Sequence, residues 1–176
     1  NSGNKTYDRQ EILKLILPYF FGYDDDEISQ YKSFCPFADY TSYVWLCIYK
    51  TSVIKDNNLL FPDQKTYYNE DHLFNLNFVF HASRITHVAN FLYCYRDSSA
   101  SLTKRYYDGF LQAKLNRYAY LNDFIALNKC GESYYKRLKN KICIESINII
   151  NYYVRSNNLS FKQKYKKVRE IIRSSA

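Results

Sequence analysis

The chain has 176 residues, 47% hydrophobic and 24% charged, which suits one domain with a real core, or a domain with a helical appendage, and excludes a disordered polymer. No apolar run approaches the roughly 20 residues that span a bilayer; the longest, Leu15 to Phe21, contains Pro18. Charge is unevenly placed: residues 1–100 carry 9 Lys and Arg against 12 Asp and Glu (net −3), whereas residues 101–176 carry 16 against 5 (net +11).

A half this basic suits an anionic surface, whether nucleic acid, acidic lipid or a phosphorylated ligand. The ordinary alternative is a solvated helix face that carries Lys and Arg for solubility. Five cysteines (Cys35, Cys47, Cys94, Cys130 and Cys143) are odd in number, and none forms a C-x-x-C pair. They point to core packing in a reducing compartment, not to zinc or a disulfide framework. The sequence has no Met and shows no leader pattern at Asn1–Asn4, so it is expected to lack its own start, as a fragment, a processed product or a tagged chain does. The 20 Tyr suit half-buried positions and carbohydrate or membrane interfaces.

In chain order, Asp8-Arg9-Gln10-Glu11 resembles a capping box opening a short helix that ends near Pro18. Gly22 breaks the chain before Asp24-Asp25-Asp26-Glu27. A D-x-D spacing holds a metal when it ends a buried strand; here, after a helix and a turn, solvated or helix-capping acids are the better reading. Residues 28–41 are irregular. Val44, Ile48 and Thr51 or Ser52 fit a helix over roughly 44–55, which Asp56-Asn57-Asn58 terminates.

Leu60-Phe61-Pro62-Asp63 is extended, and a helix follows over 69–82 with Asn69 as N-cap. Glu70 and Asp71 then fall in its first turn, where free N–H groups and the helix dipole favour an ionised carboxylate. Residues 84–88 and 91–96 read as two short strands separated by Ala89-Asn90, and 97–103 as a polar loop. From Lys104 onward everything reads as helix. One helix, marked by Tyr107, Leu111, Tyr118, Leu121 and Ile125, ends near Cys130-Gly131. A second, with Tyr135, Leu138, Ile142, Ser146, Ile149 and Tyr153 on one face, spans about 132–156. The capping box Ser160-Phe161-Lys162-Gln163 starts a last helix. That helix carries Phe161, Tyr165, Val168 and Ile172 on one side and Lys162, Lys164, Lys166, Lys167 and Arg169 on the other. The fold class is therefore α+β and predominantly helical, with a few short strands. Residues 1–104 form the first part and 105–176 a basic helical region.

Three blocks stand in order: Val44-Trp45…Ile48-Tyr49-Lys50, then Phe61-Pro62…Glu70-Asp71-x-Leu73-Phe74, then Tyr93-x-Tyr95-Arg96…Ser101-x-Thr103. Together they resemble the C-terminal, acceptor-side half of family 2 glycosyltransferases of the GT-A fold, of the kind that builds bacterial capsule and O-antigen polysaccharide. The likeness covers about residues 40–104 and, more loosely, the helical tail. It implies an inverting transfer from a nucleotide sugar to a glycan or lipid-linked acceptor, with Asp71 as the general base and Glu70 orienting it or touching the acceptor. Such a base must be ionised near neutral pH and within hydrogen-bond reach of the acceptor hydroxyl. Tyr93, Tyr95, Arg96, Ser101 and Thr103 resemble the segment bordering the active site. Arg96 suits either a donor diphosphate or an ion pair with Asp71 or Asp97. Trp45 suits either a sugar ring or the core.

The sequence departs from that family where a nucleotide-binding βαβ half with its D-x-D is expected. The donor and a divalent cation (Mg or Mn) are therefore expected to be bound by a missing N-terminal half, with no metal held by this chain's own motifs. The chain by itself is not expected to turn over. His72, His81 and His87 lack ligand spacing and read as structural or surface residues. The implied setting is cytoplasmic, with the basic helices against the inner face of the plasma membrane where lipid-linked acceptors reside. The competing reading is a non-enzymatic basic helical module that binds nucleic acid or another anionic partner. No nucleic-acid motif is recognisable, so nucleic acid is not the favoured partner.

Overall fold

A computed structural model describes residues 3–29, 42–90, 92–94, 107 and 109–174. The chain is predominantly helical, with one two-stranded antiparallel sheet. Strand β1 (Lys5–Asp8) pairs with β2 (Arg84–His87) in the register Thr6 to Thr86 and Tyr7 to Ile85. The two Thr hydroxyls meet at 3.0 Å on the exposed face, and Tyr7 turns into the core. The expectation of a second strand over 91–96 is corrected at its described residues. The partner of 84–87 is the N-terminal segment, and Leu92–Cys94 form no strand; Phe91, Tyr95 and Arg96 lie outside the described residues.

Asp8 caps helix α1 (Arg9–Glu11) through the expected capping box. The helix does not stop near Pro18. It continues as a π segment (Ile12–Ile16) and then tightens to a 3₁₀ segment (Leu17–Phe21), because Pro18 has no N–H to donate back to the preceding turn. Gly22 ends it with φ 109°. Helix α2 (Asp25–Ser29) follows, opened by a reciprocal box between Asp24 and Glu27.

The expected helix over 44–55 is split. Val44–Leu46 form a single 3₁₀ turn, Cys47 is extended, and helix α3 starts only at Thr51 (Thr51–Asp56). A short helix α4 (Gln64–Tyr67), capped by Asp63, precedes helix α5 (Glu70–His81). Five consecutive residues of α5, His72 to Leu76, are buried, so its first half is a central helix wrapped on all sides and not an amphipathic surface helix. Helices α6 (Phe110–Leu127), α7 (Glu132–Arg155) and α8 (Phe161–Ser174) complete the fold close to their expected bounds, with the Ser160–Gln163 box in place.

The main core joins Tyr7, Ile12, Phe20 and Phe21 to Leu73 and Leu76 of α5, to Leu121 and Ile125 of α6, and to Leu138 of α7. It therefore crosses residue 104, and the basic helices share the core of the N-terminal part. Each fully buried aliphatic or aromatic side chain contributes about 1.5–3 kcal/mol. A second cluster packs Phe110 and Leu111 of α6 on Ile149 and Tyr153 of α7 and Ile171 of α8. Against the expectation of core cysteines, Cys47, Cys94 and Cys143 are exposed and Cys130 is half-buried. Cys35 lies outside the described residues. Among the described residues no helix is long and apolar enough to cross a membrane.

Candidate functional site

Asp71 stands at the start of α5, just after two residues with left-handed backbone, Tyr68 (φ 40°) and Asn69 (φ 73°). Non-glycine residues held there cost roughly 1–3 kcal/mol each, and such strain gathers at functional turns. Asn69 is the N-cap by position, but its side chain makes no bond to the helix. Its amide donates instead to Ser42 Oγ at 3.2 Å, tying α5 to the segment before Trp45.

That segment lies over Asp71. The Val44 N–H donates to the carboxylate, and burial raises the carboxyl above its ordinary value by more than this hydrogen bond lowers it. The outcome corrects the expectation of a carboxylate held low by its helix start. Removal from water, not the first-turn position, dominates at this residue. Glu70, half-buried beside it, forms no hydrogen bond or ion pair among the described residues.

Trp45, next in the chain to Val44, belongs to a group of exposed rings. Trp45 lies against Tyr93 with ring centroids 4.4 Å apart, and against Tyr43 at 5.3 Å. Trp45 is 37% exposed and Tyr93 55%, so Trp45 is a surface ring and not a core one. Two of the expected binding residues, Trp45 and Tyr93, are thus brought together, and Trp45 follows Val44, whose N–H reaches Asp71. Tyr95, Arg96, Ser101 and Thr103 lie outside the described residues.

Two residues to which the sequence reading gave no site role, Tyr49 and Asn75, support this arrangement. The Tyr49 hydroxyl donates to Asn75 Oδ1 at 2.6 Å, and its ring packs edge-on against Phe74 and Phe78. Burial pushes the Tyr49 phenol up, and the charges of Cys47 and Asp71 add to it. Asn75 was legible as the one amide in the buried Leu73–Leu76 stretch, since a buried amide must find a partner. Phe61 stacks flat on Phe74 at 4.0 Å. The geometry offers a partly desolvated carboxylate that takes a hydrogen bond from the Val44 backbone, one residue before the exposed Trp45 ring.

The acidic run at 24–27 does other work. Asp24 caps α2 and accepts from Arg137 at 2.7 Å, Glu27 accepts from Arg137 at 2.8 Å, and Asp25 pairs with Lys136 and Asn140. Carboxylates already held by cations of α7 do not fit a divalent ion. Among the described residues no three His, Cys, Asp or Glu side chains gather as a metal site needs.

A second polar cluster lies deeper, between α6 and α7. Glu145 accepts from Arg117 at 2.5 Å, Lys114 at 2.8 Å and the Tyr118 hydroxyl at 2.8 Å, with Lys141 at 3.4 Å. Burial pushes the Glu145 carboxyl up, but the three cations outweigh it and hold it far below the ordinary range. Burial and the Arg117 charge pull Lys114 down to about 8. His72 sits in the core against Phe20, and its burial keeps the ring neutral. No protein-family model matches the chain, and no curated protein or solved structure is significantly similar to it.

Proposed function

We propose that this chain is the acceptor-side part of an inverting glycosyltransferase of the GT-A type, acting in cell-surface polysaccharide synthesis, with Asp71 as the general base. The observation that carries the reading is the half-buried Asp71 carboxylate, raised by burial, which takes a hydrogen bond from the backbone of Val44, the residue before the exposed Trp45 that lies against Tyr93. A carboxylate whose proton affinity is raised by burial is a stronger base than an ordinary one. The order of the Trp45, Glu70-Asp71 and Tyr93 blocks supports the same reading.

In the proposed reaction a glycan or lipid-linked acceptor lies on the Trp45 and Tyr93 rings and presents a hydroxyl to Asp71. The acceptor oxygen forms its bond to the anomeric carbon as Asp71 takes the proton. The bond from that carbon to the donor phosphate oxygen breaks, and the nucleoside diphosphate leaves with the electron pair, inverting the centre. The nucleotide sugar and its divalent cation belong to a nucleotide-binding half outside this chain. The residues present here bind and orient the acceptor and move its proton.

The test uses the full-length protein carrying this segment, assayed for nucleoside diphosphate release from a panel of UDP-, GDP- and dTDP-sugars with saccharide acceptors. Asp71→Asn is expected to lower turnover by about 10²–10⁴-fold with donor binding retained. Turnover by that variant equal to wild type removes the assignment.

A further inference from the structure

Helix α8 turns the wrong edge of itself to the body, and the residues left outside make a surface of their own. Its buried anchor is Ile171, 1% exposed, with Lys167 Nζ 5.5 Å from the Tyr153 ring. The row with the strongest apolar spacing is the neighbouring one, Phe161, Tyr165, Val168 and Ile172, which recurs by four and three residues. Phe161 is 85% exposed, Tyr165 63% and Ile172 61%. Lys162, Lys166, Arg169 and Arg173 form a second row with the same spacing one residue on, and all four are exposed. Over its whole length α8 carries six cations and the single acid Glu170.

We infer that this double row docks α8 on the surface of an anionic lipid bilayer, with Phe161, Tyr165 and Ile172 in the interface and the cationic row on the headgroup phosphates. The two rows together select the occupant. A nucleic acid would engage the cations and leave three large apolar side chains in water. A second copy of the chain would bring its own cations against these and repel. A bilayer of acidic lipids takes both rows at once, since the apolar edge sinks to the headgroup boundary while Lys and Arg meet the negative surface. The short apolar edge and the many cations make this a helix that lies on a membrane and does not cross it. The docking surface is independent of the transferase reading and stands or falls without it.

The experiment measures co-sedimentation of the chain with vesicles of phosphatidylglycerol and phosphatidylcholine, and with phosphatidylcholine alone. Binding is expected to need the anionic lipid and to fall as salt rises. Lys166→Ala with Arg169→Ala is expected to weaken partitioning about 30-fold, since each surface cation is worth roughly a factor of five. Phe161→Ser with Ile172→Ser is expected to lose sedimentation even at low salt. These side chains are exposed, so the variants keep the wild-type circular dichroism and melting temperature, which are measured alongside. A Phe161→Trp chain should show a blue shift and quenching by brominated lipid on binding. Equal binding to phosphatidylcholine, or undiminished binding by the Phe161/Ile172 variant, overturns the inference. So does tighter binding to generic duplex DNA than to the acidic vesicles at equal phosphate, which would mark a nucleic-acid surface.

Discussion

Asp71 and Glu145 are the same functional group in opposite surroundings. Glu145 is held between two long helices by three cations and a phenol, and its carboxyl is driven far down. Asp71 has one backbone donor, and burial drives its carboxyl up. A carboxylate surrounded by charge partners is committed to the fold, because its lone pairs are spent on them. A carboxylate pushed up mainly by burial keeps a lone pair to offer. The difference marks Glu145 as a structural acid and is consistent with the role proposed for Asp71.

The comparison breaks first under Glu145→Gln. Lys114, Arg117 and Lys141 would then share no counter-charge, and the loss of stability in urea unfolding is expected at about 3–5 kcal/mol. Asp71→Asn should change stability by less than about 1 kcal/mol in the same measurement. Equal losses at both positions would make Asp71 a structural acid as well.

The pH dependence sharpens the contrast through its sign. Glu145 has a folded value below its ordinary 4.5, so in that interval the unfolded chain binds more protons than the folded one. Its stabilisation is complete above 4.5 and is lost as pH falls toward the folded value. Asp71 has a folded value above its ordinary 3.8, so it acts in reverse, and stability rises as pH falls through that interval. Denaturation curves across the acid range should show a shallower acid loss in Glu145→Gln and a slightly steeper one in Asp71→Asn.

A further effect lies at the turn that carries Asp71. At Asn69, with φ 73°, a side chain that lacks the local hydrogen bonding of Asn is disfavoured, and Asn69→Ala should cost about 1–2 kcal/mol. Asn69→Gly, free of the steric penalty, should stay within about 0.5 kcal/mol. Thermal melts of the pair check this, and similar losses in both would assign the effect to the lost bond to Ser42 instead.

The helices were legible where their signals are local. The capping boxes at Asp8 and Ser160 need only four residues, and α7 repeats its apolar face from Tyr135 to Tyr153. Strand β1 was not legible, because its partner lies far along the chain and four residues give no period of their own. The break at Cys47 was hidden for a related reason. Periodicity in Val44, Ile48 and Thr51 is met equally by a helix and by a turn folded over α5 through Asp71 and Ser42. On α8 the sequence shows which residues are apolar, and only packing decides that Ile171 is buried while Phe161 is not. For the site, the acid pair and Trp45 stood out by type. The upward shift at Asp71 depends on burial that no spacing encodes.

Gly22 has a consequence for finding relatives of this chain. A Cβ there would meet Arg137 O at 2.8 Å and Lys141 Cβ at 2.8 Å, on a backbone with φ 109° that other residues resist. At Gly131 a Cβ would meet nothing within 4 Å. The first glycine is therefore a spelling constraint, and the pattern Gly22-x-Asp24-x-x-Glu27 comes with an Arg on the long helix that grips it. A distant sequence that keeps those letters at that spacing keeps the way α7 seats on the N-terminal helix, however far its tyrosines have drifted.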